Sequence, residues 1–461
     1  MISRFSQRHL ELGAPFFDAV RPADFGPLKV RYFNKGAAET VGLAGLKDPE
    51  VERHFGRFDP LKGSLPEPLA LRYHGHQFQV YNPEIGDGRG FLFAQLYDAT
   101  GRLLDLGTKG SGTTPYSRSG DGRLTLKGAV RELLATTMLA AQGVPTSRTF
   151  AIVEDMEAQL YRGDEPSPAR GAILTRLSHS HIRFGTFQRL AYEQRPEAIE
   201  QLVRYCLSTY FRQDETRLSV QEAVRALYAE VVRRKALTVA AWMMAGFVHG
   251  VLNTDNMNIT GESFDYGPWR WVPTYDGSFT AAYFDQQGLY AYGRQPQAVA
   301  WNLSVLGSVL ATLHPETEPL TEILQSYSQQ LQTATIAQFF WRMGLVRSGD
   351  EGAETKLAEA CLSQLKAEQS PFETLFYASS TGQLDLVSAD VYSLLKDWPN
   401  QPINHAPETM LIEEVETLWS KIASHDDWQP LQAKISRLEQ LFKLRRAWEA
   451  PSITQMEDPH D

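Results

Sequence analysis

A chain of 461 residues with 43% hydrophobic and 22% charged residues buries a large core and is too apolar to stay unfolded. Lys plus Arg is 45 and Asp plus Glu is 55, so the net charge of −10 argues against a general nucleic-acid or anionic-membrane binder. Two cysteines, Cys206 and Cys361, exclude a disulfide framework and a cysteine-rich zinc site, and they suit a reducing compartment.

Residues 1–60, with prolines and glycine-rich turns, read as an ordered N-terminal extension. The opening MISRFSQRHLELGAP has no apolar stretch of a secretory leader, so a cytoplasmic protein is expected. Strand signals follow in LALRYHG (69–75), GFLFAQLYD (90–98) and GRLLDLGTKG (101–110). The turn at 98–101 joins the last two as a hairpin. Helical spacing over 124–142 ends at Gly143, with Pro145 beyond. Strands are expected over 149–161 and 172–177, separated by the turn-rich GDEPSPARG. From about 186 onward the pattern is helical, with candidates at 197–211, 219–249, 297–313, 317–342, 353–367 and 430–449. The most apolar stretch, 236–252, is interrupted by Thr238, Gly246, His249 and Gly250 and reads as a core helix, not a membrane span. A strand-rich first half and a helical second half predict an α+β protein of two lobes with a cleft between them. The expected division is an N-terminal extension (1–60), an N-lobe (61–185), a helical C-lobe (186–340) and a helical C-terminal extension (341–461).

Four segments carry chemistry. In Gly86-Asp87-Gly88-Arg89-Gly90, glycines let backbone N–H groups approach a phosphate and the arginine adds a charged fork, although a plain turn between strands has the same look. Lys109 stands at the end of a strand, and Glu132, 23 residues on, lies inside the expected helix. A strand lysine held by a helix glutamate is how protein kinases grip the phosphates of ATP; by themselves the two also fit a surface lysine and a solvated helix residue. Arg176 and Arg183 could clamp a polyphosphate. His179 and His181 between them lack a further ligand at zinc spacing.

The fourth segment weighs most. His249 and Asn256 have the spacing of a kinase catalytic loop, and Asp265-Tyr266-Gly267 follows where such a protein carries Asp-Phe-Gly. Asn256 and Asp265 are hard oxygen ligands suited to Mg²⁺ or Mn²⁺ on phosphates. The position of the usual catalytic aspartate is Val251, which cannot accept a proton. Asp255 is the nearest spare carboxylate.

Taken together, these segments resemble the selenoprotein O family of kinase-like protein adenylyltransferases. The resemblance rests on GHQF (75–78), GDGRG (86–90), TKGSGTTPYSRSGDGR (108–123), the helix around Arg131 and Glu132, RLSHSHIRFGTF (176–187), GFVHGVLNTDNMNITGESFDYGP (246–268) and YAYGRQP (290–296). It spans about 65–315, and its long fixed order is more specific than any one motif. It implies a two-lobed protein-kinase-like fold that binds ATP flipped, so that the α-phosphate faces the acceptor. AMP then passes to a Ser, Thr or Tyr hydroxyl of a protein, possible acceptors including the enzyme itself, and pyrophosphate leaves. By matching motif, Asp255 would be the general base, with Asn256 and Asp265 binding the metal. Lys109, Arg176 and Arg183 would hold the phosphates, Glu132 would orient Lys109, and Gly86, Gly88, Arg89, Asp121 and Gly122 would line the nucleotide site. Neither nucleic acid nor membrane is implied as a partner. UMP transfer, ordinary γ-phosphoryl transfer and an inactive ATP-binding scaffold are the competing readings. Many members of the family end in a redox-active Cys or selenocysteine; this sequence ends in SITQMEDPHD, so a C-terminal thiol link is not expected.

Overall fold

The structure is a computed structural model and describes residues 4–163 and 165–446. The chain opens with strands β1 (Arg4–Ser6), β2 (Phe17–Ala19) and β3 (Leu28–Phe33), followed by helices α1 (Lys35–Thr40) and α2 (Asp48–Phe55). Next come β4 (Leu69–Leu71), β5 (Gly75–Gln77), β6 (Val80–Asn82), β7 (Leu92–Tyr97) and β8 (Leu103–Lys109). Then follow β9 (Leu124–Thr125), α3 (Leu126–Ala141), β10 (Arg148–Leu160) and β11 (Ala169–Ser178). A nine-stranded sheet runs β2-β4-β7-β8-β11-β10-β3, with β1 added to β7 and β9 to β11. Every pairing in it is antiparallel. Residues 1–60 thus supply both ends of the sheet order and the helices that cover its far face.

Successive residues of a strand point to opposite faces. On β8, Leu104 and Leu106 join the cluster of Ala38, Val51 and Phe55 under α1 and α2. The alternate positions Asp105, Gly107 and Lys109 therefore face the other way, toward α3. That helix is capped by the Thr125 hydroxyl, which accepts from the Gly128 amide at 3.1 Å, and it stops before Gly143.

The second lobe is helical: α4 (Phe184–Tyr192), α5 (Pro196–Tyr210) and α6 (Val220–Ala245) lead into the two-stranded β12 (Phe247–Val248) and β13 (Arg270–Trp271). Expected to reach 249, α6 ends at Ala245 because Gly246 takes left-handed backbone, φ 66°, and turns the chain into β12. The segment that carries His249, Asp255, Asn256 and Asp265 is the connection between β12 and β13. Beyond it lie α7 (Gln295–Leu310), α8 (Glu318–Met343), α9 (Glu351–Glu368), α10 (Phe372–Thr381), α11 (Ala389–Leu395), α12 (Ile412–His425) and α13 (Gln429–Arg446). Residues 447–449 of the expected last helix lie outside the described residues. No helix of the described residues is long and apolar enough to cross a membrane.

The last two helices return to the sheet. Arg445 on α13 donates to the Ala141 carbonyl at the end of α3 (2.9 Å), and Lys127 on α3 pairs with Glu416 on α12 at 2.8 Å. Between α12 and α13, Asp426 pairs with Arg31 and Arg170 at 3.0 and 2.8 Å. The buried Glu154 takes both of those arginines at 2.5 Å. Glu154→Ala would leave two facing cations with only Asp426 to share. The expected cost is about 2–4 kcal/mol, discounted for the partly exposed Arg170, and is read as a fall in Tm on thermal unfolding.

Candidate active site

Lys109, at the end of β8, reaches Glu132 on α3 with Nζ 2.5 Å from Oε2. It also lies 3.1 Å from Asp265 Oδ1. Asp265 binds Arg176 of β11 through Oδ1 and Arg183, the residue before α4, through Oδ2. Arg176 lies 3.8 Å from Glu132 as well. Three cations, each no more than 8% exposed at the side chain, therefore converge on one carboxylate. The ring of Phe264 packs under both guanidiniums, 4.9 Å from Arg176 and 4.6 Å from Arg183, and Tyr73 covers Arg183 at 4.5 Å.

Electrostatics follow from this convergence. Burial alone would raise the Asp265 carboxyl, but Arg176, Arg183 and Lys109 outweigh it and hold the group well below the usual carboxylate range. Burial pulls Lys109 below its ordinary value against the opposing pull of Glu132 and Asp265. Burial works against the charge of Arg183 too, yet Asp265, Tyr73 and Asp87 raise it on balance.

Asp255 sits in a short turn, 254–256, of the segment between β12 and β13. Burial pushes its carboxyl up to about 6, with Arg183 opposing. Its Oδ1 is buried and has no hydrogen-bond partner in the protein, and its backbone carbonyl accepts from Arg183 at 2.6 Å. The β5–β6 hairpin fastens this turn: the His76 amide donates to Thr254 Oγ1 at 2.7 Å and the Phe78 amide to Asn253 Oδ1 at 3.1 Å. His249 braces the other side of the segment instead, with Nε2 3.0 Å from the carbonyl of Phe264, the residue before Asp265. Asn256 donates its amide to the Val251 carbonyl at 3.0 Å, which turns Oδ1 away from that carbonyl.

Gly86 and Gly88 are packed beneath the loop after β8, where a Cβ would come within 2.5 Å of the Tyr116 ring and 2.9 Å of the Tyr116 carbonyl oxygen. Arg89 is exposed and near enough to Lys109 to oppose its charge. Gly122 backs onto Gly112. Asp121 lies apart from the cations of the cluster, on an exposed loop in an ion pair with Arg162 at 2.9 Å. Arg162 comes from the turn after β10, a partner that sequence spacing does not reveal. The His181 ring is taken by Arg176 and Asp105, while the buried His179 ring packs edge-on against Tyr210 and its backbone amide donates to Glu262. Asp87, which lies 3.5 Å from Arg183, went unnoticed inside its glycine segment, as did Asp105 between the leucines of β8.

The family model described as protein adenylyltransferase SelO matches residues 1–401. The chain belongs to the SelO family. Among curated relatives, a protein nucleotidyltransferase YdiU of Synechocystis sp. is 41% identical, over 93% of this chain and 96% of that one. A protein of the same name from Gloeobacter violaceus is 39% identical over 94% of each chain, and one from Trichodesmium erythraeum is 38% identical over 91% and 94%. Of solved structures, a Toxoplasma gondii rhoptry antigen kinase domain is similar at a TM-score of 0.27 and 10% identity, over 66% of this chain and 84% of that one. So slight a similarity adds nothing to the architecture described above. Within this α+β fold, the cluster at Asp265 and the turn at Asp255 lie on the one segment that joins β12 to β13.

The donor chemistry at this segment fits a divalent cation bound to ATP. Among the described residues no three His, Cys, Asp or Glu side chains gather into a metal site of their own. A magnesium ion on a nucleotide needs none, since phosphates and water complete its shell around one or two protein oxygens.

Proposed function

We propose that this chain is a protein adenylyltransferase that moves AMP from ATP to Ser, Thr or Tyr hydroxyls of proteins and releases pyrophosphate. One observation carries the reading. Three buried cations meet at Asp265, while the usual catalytic-base position is Val251 and a buried carboxylate with an unpaired oxygen, Asp255, stands four residues on. Where ordinary γ-phosphoryl transfer takes its base, this chain has an apolar side chain.

Lys109, Arg176 and Arg183 hold the phosphates, and Glu132 keeps Lys109 extended. Gly86, Gly88, Arg89 and Gly122 line the nucleotide, with Asp121 on the outer rim. Asn256 and Asp265 would hold Mg²⁺ or Mn²⁺, which would supply positive charge to offset that on the departing pyrophosphate. The acceptor hydroxyl gives its proton to Asp255 and its oxygen bonds the α-phosphorus. The bond from that phosphorus to the α–β bridging oxygen breaks, and that oxygen leaves on pyrophosphate. Fixed cations stabilise the charge that develops, and in-line positioning supplies most of the acceleration. Cys206 and Cys361 are free thiols, which suits a reducing, cytoplasmic setting.

Incubation with ATP labelled at the α- or the γ-phosphate, followed by intact-mass analysis, tests this. The α label and a mass gain of one AMP are expected on the enzyme or on added protein. Transfer of γ label alone would refute the reading.

A further inference from the structure

We infer that His181, held by Asp105 and accommodated by Gly107, is a positioning residue that fixes the guanidinium of Arg176 for its contact with the nucleotide phosphates. The inference rests on the phosphate-binding role of Arg176 proposed above.

Arg176 Nε donates to His181 Nε2 at 3.0 Å. The nitrogen that accepts carries no proton, so in the neutral ring the proton is on Nδ1. Nδ1 in turn lies 3.3 Å from Asp105 Oδ2, and the same oxygen accepts from the His181 amide at 2.9 Å. Ser178 Oγ lies 3.4 Å from Nδ1. The other oxygen of Asp105 accepts from Gln95 Nε2 at 2.8 Å. All of these groups are buried. Burial holds the imidazole below its ordinary pKa, against the pull of Asp105, in keeping with a neutral ring.

The register of the sheet makes room for this arrangement. On β8 and β11, Arg176 stands directly across from Gly107. A Cβ at 107 would lie 2.1 Å from His181 Nε2. The imidazole therefore occupies the space that a cross-strand side chain would fill. With Nε bonded to His181, Nη1 to Asp265, and the group resting on Phe264, the plane of the Arg176 guanidinium is fixed before ATP arrives. An arginine side chain otherwise loses its rotamer freedom on binding, at a cost to affinity.

Two conservative variants separate positioning from packing. In His181→Gln the amide oxygen reaches the place of Nε2 and still accepts from Arg176. In His181→Asn the amide reaches only the place of Nδ1, bonds Asp105, and leaves the Arg176 donor unpaired. Each is measured alone and in an Arg176→Lys background, where the Nε–H donor is gone. The readouts are Kd for ATP by calorimetry, KM for ATP and kcat with α-labelled ATP, and Tm. His181→Asn is expected to raise Kd and KM roughly tenfold or more, the worth of a charge-assisted hydrogen bond, with kcat at saturating ATP much less affected. His181→Gln is expected within about threefold of the parent, since that bond is kept. In Arg176→Lys the asparagine change is expected to add nothing. An equal loss from His181→Asn in both backgrounds, or a glutamine variant as weak as the asparagine one, would overturn the inference. Should His181→Asn not fold, Asp105→Asn addresses the other end of the chain, and an unchanged KM for ATP there counts against it equally. Transfer of γ label by the parent enzyme would sink the adenylylation reading while leaving the His181–Arg176 coupling in Kd intact.

Discussion

Asp265→Ala is expected to lose AMP transfer almost completely while still taking up ATP in the absence of metal. Two roles of one carboxylate separate here. As a metal ligand it would help place the cation on the phosphates, and without that placement transfer falls by at least ~10³-fold. As a counterion it neutralises Lys109, Arg176 and Arg183. Removing it leaves three buried cations with Glu132 and Asp87 as their remaining partners, which costs about 3–5 kcal/mol of stability. ATP returns the missing negative charge. The rise in Tm on adding ATP with EDTA is therefore expected to be larger in the variant than in the parent, since stabilisation by a ligand grows with its affinity for the folded state. Asp265 also has a left-handed backbone, φ 61°, which Asn and Asp tolerate better than Ala. Asp265→Asn removes the charge without that backbone cost and is expected to give the same two results. Near-normal metal-dependent transfer would sink the metal role; an equal ATP-induced Tm shift would sink the counterion role.

How much of this was legible in the sequence varies by element. Helix α3 was readable at both ends, because Thr125 caps it and Gly143 stops it, and β10 and β11 match the expected strands within a few residues. The three-residue strands β1 and β2 were not readable, since they are too short to show a period of two. Helix α4 begins close to where the pattern turns helical, at about 186, but no separate helix was marked there. The polar residues just before it are buried because distant groups satisfy them: Asp105 for His181, and Asp265 for Arg176 and Arg183. The short α10 and α11 and the amphipathic α12 also went unassigned. In the site, the cations and Asp265 were singled out by their order along the chain. Asp87 and Asp105 were not, because only a partner far away in sequence makes a buried carboxylate tolerable. For the same reason the pairing of Asp121, a residue placed at the nucleotide by the resemblance, with Arg162 from another turn was not legible.

Asp255→Asn is expected to lower kcat for AMP transfer by ~10²–10⁴-fold, the usual worth of a positioned base, with Kd for ATP changed by no more than about threefold. The base acts as the carboxylate. Its pKa of about 6 means that the parent enzyme's kcat/KM should rise about tenfold per pH unit below that value and level off above it. The asparagine variant should lack this limb, and a limb that persists would assign the titration to another group. Stability moves the opposite way. A buried carboxyl raised above its unfolded value binds a proton in the native state that the unfolded chain has already lost, so native stability falls as pH rises from about 4 through about 6. Above that window the charge remains buried with Oδ1 unpaired, a cost of about 2–3 kcal/mol that asparagine avoids. At pH 7.5 the variant should therefore melt higher than the parent while transferring far less AMP. A variant that loses both activity and ATP affinity with an unchanged Tm would make Asp255 a nucleotide ligand instead of the base. Strain kept at a site for the sake of its chemistry predicts that stability and activity part company here, and at Asp265, where the carboxylate is a counterion as well, they should fall together.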